Sequence, residues 1–216
     1  MLILKSIFLL GFISTGIGFA DTFTGTNILN ESKLSGGTVI DFSNGAGTTG
    51  SYIEGYVTFS SEDSGPITIQ AHGEITNGYN TLGYYLQNNC SASSHCSDSE
   101  ISDSLKFSFS NPVSAFGFNW GASNILWNLK AYDSNDTLLE TYTLPVLGNA
   151  NNGEYFGISS DSFNINYATL IDNQSADNND WVFIDNFTFL ATSDDGDATY
   201  TIYGTISIGQ TLSTSA

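Results

Sequence analysis

In the stretch SLKFSFS at 104–110, every second residue is large and apolar: Leu105, Phe107 and Phe109 share one side, and Ser104, Lys106 and Ser108 the other. A period of two suits only an extended chain, in which successive side chains point to opposite faces. Strand-like runs recur at 38–42, 52–60, 67–72, 105–109, 113–120, 125–132, 137–144, 163–171 and 181–190. Clusters of Gly, Asn, Asp and Ser separate most of them, and Asn111-Pro112 predicts a turn between two. No segment shows a 3.6-residue apolar period. Lys, Arg, Glu and Met, which favour helices, are scarce. About nine short strands joined by polar turns predict an all-β fold, a jelly-roll-like antiparallel β-sandwich. The 216 residues suffice for one such core.

Charge limits the partners. The chain carries 22 Asp and Glu against 4 Lys and Arg, a formal charge of −18. All four cations are lysines: Lys5, Lys33, Lys106 and Lys130. Side-chain ion pairs cannot neutralise most of the acids, so these need solvent, backbone N–H groups or an external cation. Such a field disfavours nucleic acid and anionic membrane as partners. Calcium fits it, because oxygen ligands suit a hard cation.

The N-terminus predicts export. A basic start (MLILK) precedes an apolar stretch and Gly18-Phe19-Ala20, so residues 1–20 have the pattern of a signal peptide cleaved between Ala20 and Asp21. An uncleaved anchor is the other reading, although the apolar run falls short of the roughly 20 residues a span needs. No later segment predicts membrane insertion of the mature chain, which is expected at the cell surface or secreted. In an oxidising compartment Cys90 and Cys96, the only cysteines, predict one disulfide across a surface loop. The neighbouring His95 leaves a metal reading open, but a fourth ligand and the usual spacing are missing.

Several runs together, LKFSFSNPVSAFGFNWG, LKAYDSNDTLLETYTL, YFGISS and WVFIDNFTF, resemble a β-sandwich module of exported bacterial surface proteins, frequent among exosortase-sorted (PEP-CTERM-type) proteins. TVIDFSN and YIEGYVTFSS resemble its opening strands. The resemblance covers roughly 38–190 and implies a sandwich domain over 21–190, while saying little about activity. The Pro-Glu-Pro sorting tail of such proteins is not found in this sequence. Residues 191–199 are expected to form an acidic linker. YTIYGTISIGQTLSTSA at 200–216 resembles the start of a bacterial immunoglobulin-like repeat; an extra edge strand is the alternative.

Within WVFIDNFTF, alternation places Trp181, Phe183, Asp185, Phe187 and Phe189 on one face. An ionised Asp185 among rings is costly without partners. A structural calcium shared with Asp41 or Glu54 is expected from the resemblance at IDNF; a set of hydrogen-bond donors is the other solution. Asp172, Asp177 and Asp180 form a second acidic run, readable as a calcium loop or a solvated one. The loop Asp133-Ser134-Asn135-Asp136 has ordinary turn chemistry. For a glycan ligand, Tyr84 and Tyr85 are the candidate residues, since adjacent strand residues face opposite ways and one should be exposed. Trp120 and Trp127 continue core stripes.

The expected function is therefore an exported binding or structural module, part of an adhesin-like protein, that contacts glycan or a neighbouring surface protein. No nucleophile elbow, zinc-ligand pair or phosphate loop is present, and no catalytic residue is assigned. The enzyme alternative is a glycan-cleaving jelly roll using paired carboxylates, with Glu54, between Tyr52 and Tyr56, as one candidate.

Overall fold

The computed structural model describes residues 20–25, 28–45, 47–62, 65–71, 83–88, 104–147, 154–173, 180 and 182–191. The leader before Ala20, the expected disulfide of Cys90 and Cys96, His95, Asp177, Trp181 and all residues from 192 onward lie outside them. The described residues contain thirteen strands and no α-helix. In order these are β1 (Ala20–Gly25), β2 (Thr38–Ile40), β3 (Gly47–Thr49), β4 (Ser51–Glu54), β5 (Val57–Ser60), β6 (Ile67–Ala71) and β7 (Tyr84–Gln87). There follow β8 (Ser104–Gly121), β9 (Trp127–Tyr132), β10 (Leu138–Leu144), β11 (Tyr155–Ser160), β12 (Ile165–Asp172) and β13 (Phe183–Ala191). Every pairing is antiparallel.

The count exceeds nine because β1, β3, β7 and β11 lie outside the runs read from the sequence, while two local differences offset each other. The run at 52–60 is a hairpin, not one strand: Glu54 pairs with Val57, and Gly55 takes φ 59° in the tight turn, a conformation glycine adopts without penalty. Conversely, the turn expected at Asn111-Pro112 is absent. β8 runs through it for 18 residues. Its pairing with β12 jumps from Ser108 to Val113, so Pro112 falls in an irregular stretch where no ladder N–H is needed.

That irregularity organises the sandwich. The first half of β8 pairs with β5 and β12, building a first wing in the order β4-β5-β8-β12-β9-β10. The second half pairs with β11 and β13, building a second wing of β1-β11-β8-β13, which β7, β6 and β3 extend on one part of β13 and β2 on another. The wings face each other. Phe107 and Phe109 from the first half lie 5.6 Å from Phe118 and Phe116 of the second, respectively. Phe187 sits at the centre, 5.1 Å from both Phe59 and Phe107. Trp120 and Trp127 are fully buried at 5.9 Å from one another, so both are core residues.

Strict alternation fails in β13, and this is a correction with consequences. Asp185 pairs with Asn119, yet Thr188 pairs with Gly117, which leaves one extra residue in β13. Asn186 absorbs it with φ 46°, in the left-handed region that Asn tolerates better than most residues. Ile184, Phe187 and Phe189 therefore all enter the core. Phe183 and Asp185 instead belong to the outer side of the second wing.

Candidate functional site

The first wing presents its outer side to solvent. Leu105, Phe107, Leu129, Ala131, Ala168 and Leu170 point into the core, so their neighbours point out. Register aligns these outward residues in rows. One row runs Leu138, Tyr132, Tyr167, Ser108, Thr58 and Ile53; the next runs Thr141, Lys130, Thr169, Lys106, Ser60 and Ser51. Thr143 and Asn128 begin a third, joined by a 2.9 Å hydrogen bond from Thr143 Oγ1 to Asn128 Oδ1.

Not one of these outward strand positions is Asp or Glu, in a chain with 22 such residues. Strand propensity disfavours acids, but it does not account for the pattern, because Asp21, Glu54, Glu140, Asp172 and Asp185 all lie in strands. Glu140, on β10, pairs with Ala131 of the core-facing row. Two of the chain's four lysines stand on the face instead.

At its centre is an aromatic pair. The rings of Tyr132 and Tyr167 stack at 4.8 Å and 9°. Lys106 Nζ lies 4.6 Å from the Tyr167 centroid and 3.5 Å from Glu62 Oε1, at the margin of the face. Tyr167 donates its hydroxyl to Asp136 Oδ1 at 2.9 Å; burial first, and then this carboxylate, push its pKa up to about 12. Asp136 is held by the β9–β10 turn, in which Asp133 Oδ1 accepts the N–H groups of Asn135 and Thr137 at 2.8 Å each. The sequence shows the alternation of Asn128, Lys130 and Tyr132, but not the register that sets Tyr132 beside Tyr167.

The second wing's outer side is closed. Phe23 packs over Gly157 and Gly117, where an added Cβ would strike its ring. Ile28 and Leu34 join it. Tyr155 donates to Glu31 Oε2 at 2.6 Å. That bond, first among its causes, holds Glu31 below the usual carboxylate value, while burial pushes Tyr155 up to about 12. Farther along, Tyr85 is fully buried, 4.8 Å from Phe183, and donates to Gln70 Oε1 at 3.1 Å. Tyr85 therefore offers no surface to a ligand, a correction to its candidacy. Tyr84, half-buried, packs against the main core.

The expected calcium ligands are placed as follows. Asp185 is buried, and Oδ1 accepts the Asn186 N–H at 2.5 Å; Asn186 Nδ2 in turn donates to Asn119 Oδ1 at 3.0 Å. Glu54 accepts from Tyr52 Oη at 2.6 Å and Asn44 Nδ2 at 2.7 Å. Asp41 accepts the Ser43 N–H at 3.0 Å. Burial of Tyr52 and the charges of Glu54 and Asp41 together push its pKa up, so these two acids share one neighbourhood. Among the described residues no three His, Cys, Asp or Glu side chains come together, so the trio does not form one cage. Each has protein donors of its own.

Asp180 is not a solvated loop residue. It is 3% exposed. Its carboxylate accepts from Trp127 Nε1 at 2.8 Å, from the Asn124 N–H at 2.9 Å and Nδ2 at 3.1 Å, and from the Ile125 N–H at 3.3 Å. Asn88 adds a bond from Nδ2 to the Asp180 carbonyl. Such a donor set stabilises a buried anion without a cation. No sequence motif marks it, because the donors come from 88 and 124–127.

No family model and no curated protein matches the chain. Similar solved structures include the K1 cleaved adhesin domain of Lys-gingipain from Porphyromonas gingivalis W83, at 13% identity and TM-score 0.47, covering 73% of this chain and 99% of that one. A family 6 carbohydrate-binding module is similar at 16% identity and TM-score 0.36, over 72% and 94% of the two chains. TmCBM61, solved with β-1,4-galactotriose, is similar at 12% identity and TM-score 0.34, over 70% and 94%.

Proposed function

We propose that this chain is a non-catalytic, exported binding module that takes a glycan on the outer face of the first wing. The observation that carries the reading is that no outward strand position of that face is an acid in so acidic a chain; the carboxylates nearest it, Asp136 and Glu62, stand in flanking loops and are already bonded to Tyr167 and Lys106. Docking strips water from whatever lies beneath the partner, and stripping an unpaired carboxylate is the costliest case. A row of strand positions without unpaired acids is therefore less costly to cover than an acidic surface. What remains suits a sugar: tyrosine rings for its C–H surfaces, and hydroxyl, amide and ammonium groups for its hydroxyls. The glycan reading is favoured over a protein partner because apolar residues on the face, such as Ile53 and Leu138, stand at opposite edges and form no central patch.

Titration against a polysaccharide panel tests this. Tyr132→Ala should weaken binding by about 0.5–1.5 kcal/mol, roughly two- to tenfold, without loss of polymer length. Wild-type affinity in Tyr132→Ala, together with loss in a Tyr52 variant, would move the site to the Glu54 neighbourhood. Release of reducing ends abolished by Glu54→Gln would favour the hydrolase.

A further inference from the structure

We infer that the glycan is acidic, a carboxylated or sulfated polysaccharide whose anionic group sits between Lys130 and Lys106 over Thr169. This rests on the glycan reading and names the ligand class for the same face. Thr169 pairs with Lys106 on one side and Lys130 on the other. Directly opposed residues on neighbouring strands have Cβ atoms about 4.5–5.5 Å apart. Both flexible ammonium groups can therefore reach one anion above the middle strand. Lys106 already has Glu62 at 3.5 Å. Lys130 Nζ has no hydrogen-bond or ion-pair partner among the described residues. In a chain whose acids so outnumber its cations, an ammonium left without a carboxylate marks a locally positive spot.

A second observation falls at the same place. Thr169 Oγ1 is buried, 1% exposed as a residue, and makes no hydrogen bond. Register places this hydroxyl in the row between the two lysines, and a ligand oxygen would reach it only where the side chains covering it move aside. A buried hydroxyl left unpaired is unfavourable, so a group that both satisfies it and accepts from two ammonium groups fits this row. The overall negative charge does not forbid such a ligand. At physiological salt the Debye length is about 8 Å, so acids farther off are largely screened; Glu62, 3.5 Å from Lys106, is within that length, which leaves Lys130 as the chief cation for the ligand.

The test uses two matched pairs of probes: polygalacturonate with its fully methyl-esterified form, and dextran sulfate with dextran, measured by calorimetry at 0.15 M salt. The charged member of at least one pair should bind about three- to tenfold tighter, and which pair responds tells carboxylate from sulfate. Lys130→Gln should remove that preference by lowering affinity for the charged member more than for the neutral one. Lys33→Gln, off the face, should change neither. Equal binding within each pair that binds, or an equal loss on both members in Lys130→Gln, overturns the acidic ligand while leaving a neutral glycan in place. Failure of all four polymers, with Tyr132→Ala inert across the wider panel, overturns the glycan reading itself.

Discussion

The first wing turns hydroxyls, phenols, an amide and two ammonium groups outward, and the solvent-facing ones keep bonding capacity. The second wing also carries polar groups on its outer side, among them Asp185, Asn119 and Tyr155, but these are buried and already bonded within the chain. An outward polar residue is thus not yet a binding residue. What separates these groups is that the protein itself bonds them, whereas Lys130 Nζ on the first wing has no protein partner among the described residues. Substitutions should divide accordingly: those among buried, bonded groups lower stability, and those on the first wing lower binding.

The largest effect should come from Asp180→Ala. Removing that carboxylate strands the buried Trp127 N–H and the N–H groups of Asn124 and Ile125, a cost of about 3 kcal/mol or more. Denaturant unfolding measures it. A loss within ~0.5 kcal/mol would show that those donors find water instead and would blur the distinction. Asp185→Ala, on the closed face, should cost less, about 1–3 kcal/mol. Tyr132→Ala, on the open face, should leave unfolding within roughly 1 kcal/mol of wild type while weakening the glycan. A large stability loss there would mean that the tyrosine pair serves the fold.

pH sharpens the comparison further. Glu31 is held below its ordinary value, so its bond with Tyr155 stabilises the fold fully above that ordinary value of 4.5 and is lost as pH falls through the lower folded value. Tyr155, pushed up to about 12, contributes stability that is present below 10 and lost as pH rises through about 12. The difference in melting temperature between wild type and Tyr155→Phe should be widest between these limits and should shrink at both ends. A constant difference across pH would detach the effect from Glu31.

The smallest expected effect is that of a chelator. Asp41, Glu54 and Asp185 each have protein donors, so chelation should leave the melting temperature unmoved. A calcium bridging Asp185 to Asp41 or Glu54 would instead stabilise by about 2.7 kcal/mol at 100-fold excess over its dissociation constant, and Asp185→Asn would abolish the response.

Much of the fold is legible in the sequence because burial on one side of a strand writes itself as alternation. Leu105, Phe107 and Phe109, and Trp127, Leu129 and Ala131, announce both their strands and their inward faces. β13 is not legible in the same way, since a single extra residue at Asp185-Asn186 reverses the faces and leaves no compositional mark. Tyr85 misleads for a related reason: the sequence tells that Tyr84 and Tyr85 face opposite ways, but not that the outward one is buried against Phe183. The candidate face is half-written. Its residues show in the alternation, but the rows that align Lys106, Thr169 and Lys130 depend on strand order and register, which are set by contacts between strands far apart in sequence.

The central claim is that the face whose outward strand positions lack acids is the docking surface, and placing one unpaired carboxylate there tests it most directly. Thr141 and Thr38 are both exposed strand residues, the first beside Lys130 on the open face and the second on β2 of the other wing. For a polysaccharide that the wild type binds, Thr141→Glu should cut affinity by about tenfold or more, since docking must desolvate the new charge, while Thr38→Glu binds like wild type. Wild-type affinity in Thr141→Glu, or an equal loss in both variants, would contradict the account.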